Sequence, residues 1–409
     1  MVSVSWNAAG ILRRLDALAL CTETPGQITR LFLTQAHRQA ITLVSDWMRE
    51  AGLSPELDAS GTLTGYLPAK HPSAPTLMLG SHIDTVRNAG RYDGCLGVAL
   101  AIALAAQIGP RELPFHLEIR AFGDEEGVRF PVTLTGAHAA AGSFAPAWLD
   151  AVDAAGVTLR QALIDFGLDP IALLAGTCTT RANAYLEIHI EQGPVLEAQG
   201  APLGIVTAIN GAERHDMTVT GHAGHAGTVP MDQRRDALAA AAQMVLAVET
   251  VARRHANVVA TVGRLEVSPG ATNVIPGSVT FTLDLRAPDD GLRQTAAAAI
   301  FAILRDVAAT RHVTLAHRVR HVAPAVACDR RFQAQLTEAV ENLDLPVIHL
   351  PSGAGHDAMV MANHCPMGML FVRCRGGISH HPDEHVSEGD VALALRVMVE
   401  VIKKGRVLF

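Results

Sequence analysis

Short apolar runs that end in polar clusters set the plan of this chain. Thr76 to Leu79 leads into Gly-Ser-His-Ile-Asp, and Phe115 to Phe122 into Gly-Asp-Glu-Glu. Tyr185 to Ile190 leads into Glu-Gln-Gly-Pro, and Met367 to Val372 into a glycine-rich turn. Apolar runs of this length, bounded by turn residues, predict strands. Helical stretches lie between them. Residues 26 to 52 predict one helix: Ile28, Leu31, Phe32, Ala36, Ile41, Val44, Trp47 and Met48 recur near the helical period, and Gly52 is placed to stop it. Gly97 to Ile108 predicts another. Strands alternating with helices indicate an α/β fold, a mainly parallel sheet with helices on both faces.

The texture changes between about 210 and 321. His215 to Thr220, Val258 to Val267, Ser278 to Leu285 and Val313 to Val322 read as strands, with alanine-rich helices near 232–254 and 290–310. The order β-α-β-β-α-β is the ferredoxin-like pattern. Helix–strand alternation then returns and closes with a helix from about Asp390 to Lys403. The predicted organisation is a larger α/β domain over 1–209 and 322–409, with an inserted α+β domain over 210–321. The stretch from Ala145 to Thr180 carries no motif.

Composition narrows the function class. The chain has 409 residues, 49% hydrophobic and 18% charged, which suits a folded protein of two or three domains. Its formal charge of −7 is spread out, without the basic stripe that nucleic acid requires. The longest apolar runs, such as Val98 to Ala106 and Ala237 to Ala242, are too short to span a membrane. No basic, apolar, small-residue leader opens the sequence, so no secretory signal is expected, and the scattered cysteines suit a reducing cytoplasm. There are 19 histidines and 6 cysteines, and no two cysteines form a CxxC pair. A metal site would therefore draw on imidazoles and carboxylates.

Ligands of open α/β sheets bind at the carboxyl ends of the strands. Four polar clusters fall there: His82 and Asp84, followed by Asp93; Asp124-Glu125-Glu126; His189 to Gln192; and Ser379-His380-His381 to Glu384. Each alone has an ordinary reading, an acidic pair as a solvated loop or a strand-end histidine as a hydrogen-bonded structural residue. Together they form a two-metal inventory without cysteine, in which one carboxylate would bridge the ions.

The motifs GSHIDTV, RYDG, DEEGVRF, EIHIEQGPVLE, HAGTVPM, ATNVIPG, SGAGHDA and GGISHHPDEH resemble the M20-type metallohydrolases, and within them the hydantoinase/carbamoylase amidase family. The resemblance implies a metal-dependent exopeptidase-like fold whose inserted domain serves as lid and dimer contact. It implies two divalent ions per subunit, zinc or manganese, with nickel or cobalt as alternatives. Asp93 would bridge them, His82 and His189 completing one site and Glu126 and His380 the other. Glu125 would be the general base. His380 is chosen over His381 and His385 because its spacing to Glu384 matches the family. Asp84 would orient the second ring nitrogen of His82.

On the inserted domain, a turn histidine, a turn asparagine and a surface arginine take other roles by the same resemblance. His225 and Asn273 would meet the substrate carbonyl and developing oxyanion, reaching into the neighbouring subunit of a homodimer. Arg286 would hold a substrate carboxylate. Gln192 and His356 are further candidate substrate contacts. The implied activity is removal of the terminal ureido group from a small ureido acid. The loop from Met367 to His380, with Gly353 to Met359 and Thr228 to Met231, favours allantoate, giving ureidoglycine, carbon dioxide and ammonia. N-carbamoyl-L-amino acids, ureidoglycolate and β-ureidopropionate are the alternatives. A histidine at 189, where the peptidase branch supplies an acidic ligand, argues against a peptidase. No nucleic-acid or membrane partner is expected.

Overall fold

The computed structural model describes residues 5–108 and 113–404. They form two compact units. One takes in the chain up to Thr207, Cys328–Leu350 and the chain from Gly355; the other is Ala208–Ala327 with Pro351–Ala354.

The first unit is built on a mixed sheet. Its strands lie in the order Ser54–Leu57, Leu63–Leu67, His116–Phe122, Thr76–His82, Ala184–Ile190, Met367–Val372 and Leu203–Ile209. The four central strands, from His116–Phe122 to Met367–Val372, pair in parallel; the flanking pairs are antiparallel. The sheet is therefore parallel only at its centre. Every residue of those four strands is buried, as continuous apolar strands covered on both faces must be. Their carboxyl ends lie level, with His82 opposite Phe122 and His189 opposite Phe371. That register brings the four polar clusters to one edge.

The helix Cys95–Ile108 is almost wholly buried, and its backbone lies against the Ala184–Ile190 strand. A Cβ on Gly97 would come within 2.0 Å of the Ile188 carbonyl oxygen, so only glycine permits this approach. The predicted helix over 26–52 is shorter than its periodicity suggested. It runs over Gln35–Glu50, with the Thr34 side chain capping the His37 amide. Before it the chain runs through turns and a single bridge at Ile28, and Arg30 is buried there. Arg30 donates to the carbonyls of Ile83, Leu18 and Cys21 and to the Cys95 sulfur. Gly52, at φ 83°, follows the helix end. The motif-free stretch forms the short helices Pro146–Asp150, Leu159–Asp165 and Pro170–Leu174.

The second unit is an antiparallel sheet in the order Leu265–Ser268, Ser278–Ala287, Gly211–Thr220 and Thr314–Ala323. Ser278–Ala287 alternates strictly, its odd-numbered residues buried. The helices Ala237–Arg254 and Asp290–Thr310 share a core with Met217, Val219, Phe281, Leu283 and Leu285. Asp236 and Asp289 cap these helices at their first turns. The single strand predicted over Val258 to Val267 is two, Val259–Thr261 and Leu265–Ser268, interrupted around Gly263. The second boundary falls at Ala327–Cys328 rather than near 321, because the last long strand continues to Ala323 and Val326–Ala327 then pairs with Ile209–Ala208. No helix among the described residues is long and apolar enough to cross a membrane. The cysteines are all free.

Candidate metal centre and active site

Asp93 is the hub of the strand-end cluster. Its Oδ1 lies 3.2 Å from His189 Nε2 and 3.6 Å from His82 Nε2. Its Oδ2 lies 3.1 Å from His380 Nε2, which in turn is 3.6 Å from Glu126 Oε1. One oxygen thus faces two imidazoles, and the other faces an imidazole and a carboxylate. Two ligands of a tetrahedral ion, each about 2.0–2.1 Å from it, stand roughly 3.3 Å apart. In the groups His82–Asp93–His189 and Asp93–Glu126–His380 the ligand atoms all lie within 4.8 Å of one another, the pairs above at 3.1–3.6 Å. The residues present therefore fit a pair of divalent ions sharing Asp93. His380, rather than its neighbours, reaches the cluster. The His381 ring accepts the Asp383 amide, and His385 packs edge-on to Tyr92.

Glu125 is adjacent but distinct. Its carboxylate lies 3.8 Å from His82 Nε2 and is mostly buried. Gln192 donates its amide to Asp93 Oδ2 at 3.0 Å and to Ser379 Oγ at 3.1 Å, so it sits within the cluster. His356 stands next to His189. Its ring is 1% exposed and stands edge-on to His189 at 4.5 Å between centroids.

The surrounding residues fix these positions. Glu384 Oε1 accepts the amides of Tyr92 and Asp93 at 2.7 and 3.1 Å, anchoring the loop that carries Asp93. Ser379 joins Asp93 Oδ2 to Glu384 Oε2. The spacing of Glu384 from His380 signalled only family likeness; the structure gives its task. Gly94, at φ +64°, lies under the His82 ring, and a Cβ there would come within 2.5 Å of ring atoms. His189 Nδ1 meets the Ile190 carbonyl at 3.0 Å, which leaves Nε2 toward Asp93. Asp84 differs from expectation. His82 Nδ1 lies 3.1 Å from the Asp84 backbone carbonyl and 3.7 Å from its carboxylate. The carboxylate instead accepts the amides of Glu125 and Glu126 at 3.1 and 3.3 Å.

Electrostatics set the cluster apart. Burial would raise the Asp93 carboxyl, but hydrogen bonds from His189, His380 and His82 hold it well below its usual range. Burial opposes charge on His82, yet Glu125, Asp93 and Asp84 keep its pKa well above the ordinary value. Burial lifts Glu125 well above the carboxylate range, and Glu126 to about 7. Perturbed groups of opposite sign concentrated at one edge mark a candidate functional site.

Beneath it lies a polar layer of two acids, Glu187 and Asp357, which fall inside the motifs EIHIEQGPVLE and SGAGHDA but were given no role there. Glu187, fully buried, accepts from Ser81, Tyr185 and the Ala358 amide. Neither carboxyl oxygen of Asp357, also fully buried, has a hydrogen-bond partner. Burial, then the nearby Glu187, pushes Asp357 well above its usual range. Glu187 stands at an interior position of an apolar strand, where periodicity expects no acid.

The inserted unit presents its own candidates. The two-residue strands Gly224–His225 and Val274–Ile275 pair, and the Ala226 amide donates to the Asn273 carbonyl. His225 and Asn273 are thus neighbours, both exposed. Arg234 holds their loop through the carbonyls of Ala226 and Val229, an anchor the sequence did not mark. Arg286 lies on the outer sheet face and donates to Asp284 through Nε and Nη2 and to the Gly353 carbonyl through Nη1.

Comparison with known proteins agrees with this architecture. Residues 78–404 match the peptidase family M20/M25/M40, and the chain belongs to that family. It is 41% identical to the N-carbamoyl-L-amino acid amidohydrolase of Geobacillus stearothermophilus, over 92% of this chain and 93% of the relative. It is 38% identical to a probable allantoate deiminase of Oryza sativa subsp. japonica, over 96% and 88%. Its structure superposes on an amidase of the hydantoinase/carbamoylase family from Burkholderia multivorans with a TM-score of 0.91, at 31% identity and 98% coverage of both chains. The protein is a hydrolase that acts on C–N bonds.

Proposed function

We propose that the chain removes the terminal ureido group of allantoate, releasing ureidoglycine, carbon dioxide and ammonia. The observation that carries this reading is the Asp93-centred cluster with Glu125 beside it. His82, His189, Asp93, Glu126 and His380 would hold two divalent ions, zinc or manganese in our reading. When bound, such ions polarise a carbonyl and lower the pKa of water toward neutrality. Glu125 takes a proton from the attacking water. The water oxygen bonds to the carbamoyl carbon, the bond to the terminal nitrogen breaks, and Glu125 returns the proton to that nitrogen. The carbamate left on the inner nitrogen then loses carbon dioxide.

Residues of the inserted unit bind in this reading. Arg286 keeps one uncommitted N–H on each terminal nitrogen for the substrate carboxylate. His225 and Asn273 supply donors for the developing oxyanion, from the partner subunit of a homodimer. The inserted unit then serves as both lid and dimer contact. Light scattering should give twice the chain mass; a monomer that is fully active refutes the shared site.

The metal-loaded protein, assayed for ammonia release with allantoate, N-carbamoyl-L-amino acids, ureidoglycolate and β-ureidopropionate, should prefer allantoate. Turnover of carbamoyl amino acids with allantoate untouched would overturn the substrate assignment. Glu125→Gln should retain the metal while kcat falls by about 10²–10⁴-fold, the usual contribution of a positioned base. A variant that keeps both metal and turnover would remove Glu125 from that role.

A further inference from the structure

The outer sheet face of the inserted unit holds a groove of about 710 Å³, lined among others by Arg214, Asp216, Thr282, Asp284, Arg286 and Arg320. The strand register places Arg214 directly opposite Asp284, with Arg286 two residues along on the same face. Asp284 Oδ1 accepts Arg286 Nε at 2.8 Å. Asp284 Oδ2 accepts Arg214 Nε at 2.8 Å and Arg286 Nη2 at 3.2 Å. Two guanidinium groups therefore share one carboxylate. The next acid on the face, Asp216, is already shared by Arg318 and Arg320. Cross-strand ion pairs normally match charge for charge; here positive charge is left over at a concave surface.

The unspent donors are specific. A guanidinium has five N–H groups. Arg286 commits one on each nitrogen, to Asp284 and Gly353, which leaves one N–H on each terminal nitrogen. Arg214 commits only Nε, so both of its terminal nitrogens remain for a ligand. Asp284 holds Arg214 by Nε alone and Arg286 by Nε and Nη2.

We propose that Asp284 holds Arg214 and Arg286 as a two-guanidinium array that reads two acceptor groups of one substrate. Arg286 takes the carboxylate, and Arg214 takes a second, non-reacting carbonyl arm, as in a bis-ureido acid. This rests on the reading above that Arg286 receives the substrate carboxylate. A bis-ureido acid has two identical arms on the carbon beside its carboxylate. Only one is cleaved, so the other needs an acceptor-seeking partner. An N-carbamoyl amino acid with an apolar side chain offers nothing to Arg214 and leaves that guanidinium unmatched. Arg214 is thus a specificity residue, and Asp284 a positioning residue acting through both arginines.

Calorimetric binding to the metal-loaded Glu125→Gln protein tests this without turnover. Allantoate is compared with N-carbamoyl-L-alanine in that background and in the same background carrying Arg214→Met, Arg214→Lys, Arg286→Met or Asp284→Asn. These side chains lie on a solvated face, and melting curves check folding. Arg214→Met should cut the preference for allantoate roughly tenfold, and Arg214→Lys should restore part of it. Arg286→Met and Asp284→Asn should weaken both ligands. If Arg214→Met weakens both ligands equally, or neither, while Arg286→Met weakens both, the array is wrong and the carboxylate reading stands. If Arg286→Met changes neither, the carboxylate reading fails. A protein that binds neither compound refutes both.

Discussion

Asp84→Asn separates two roles that one carboxylate could play beside His82. If Asp84 oriented the imidazole, the substitution would weaken the metal group His82–Asp93–His189. The structure gives Nδ1 of His82 to the Asp84 backbone carbonyl, which the substitution keeps, and gives the carboxylate to the amides of Glu125 and Glu126. Asparagine is isosteric but offers one acceptor, so its NH₂ meets one of the two amides donor to donor. A buried amide left unpaired costs about 1–3 kcal/mol, and a bond demoted from a charged to a neutral acceptor loses about 1 kcal/mol. The turn carrying both glutamates should therefore loosen by roughly 2–4 kcal/mol. A displacement of about 1 Å at a reacting group can cost ~10²-fold in rate. The expected result is a fall in kcat of about 10–100-fold, with KM little changed and the first metal retained. Steady-state kinetics on allantoate, paired with elemental analysis of the dialysed protein, gives both readings. A kcat within about twofold of the parent, or selective loss of the first metal, would sink the assignment.

Gly94→Ala should lower metal content and activity together, because the added Cβ would meet the His82 ring at 2.5 Å and the backbone has φ +64°; elemental analysis showing full metal would contradict this. The acid limb of stability should depend on His37. That ring is fully buried, accepts the Leu33 amide at Nδ1, and leaves Nε2 unpartnered. Burial, then Arg30 and Arg38, lowers its pKa from 6.5 to about 3. Below pH 6.5 the unfolded chain binds a proton that the folded ring refuses, so stability falls as pH drops toward 3, by up to about 5 kcal/mol. His37→Gln should flatten denaturant midpoints across that window, and an unchanged slope would count against the reading.

How much of this was legible from sequence depended on whether a residue's role follows from its neighbours along the chain. The central strands were visible because burial on both faces leaves continuous apolar runs, and their carboxyl ends then marked Asp93, His82, His189 and His380 as one edge. The predicted helix over 26–52 failed at its start because Arg30 finds its acceptors at Leu18, Cys21 and Ile83. Helical periodicity cannot register such long-range satisfaction of a buried charge. Glu187 and Asp357 were missed for the related reason that an acid inside an apolar strand, or after a loop histidine, announces no partner. Their meaning comes from strands brought together by the sheet.

The three successive acids at 124–126 show where spacing stops and geometry begins. A sequence cannot say which of Asp124, Glu125 and Glu126 points inward, which reaches His82 and which reaches His380. The backbone decides. Asp124 adopts φ 65°, a conformation costly for a residue other than glycine, and so turns its carboxyl into the interior onto the Thr135 hydroxyl. That reversal presents the next two amides to Asp84 and sends the next two side chains to different histidines. Thr133 fastens the far side by donating to the Glu125 carbonyl, and the Leu134 amide donates to the Asp124 carbonyl. The separation of the two glutamates, Glu125 toward His82 and Glu126 toward His380, is thus produced by a single strained turn and its clasps. A substitution at Asp84, Thr133 or Thr135 should disturb catalysis although none of these side chains meets the substrate in our reading.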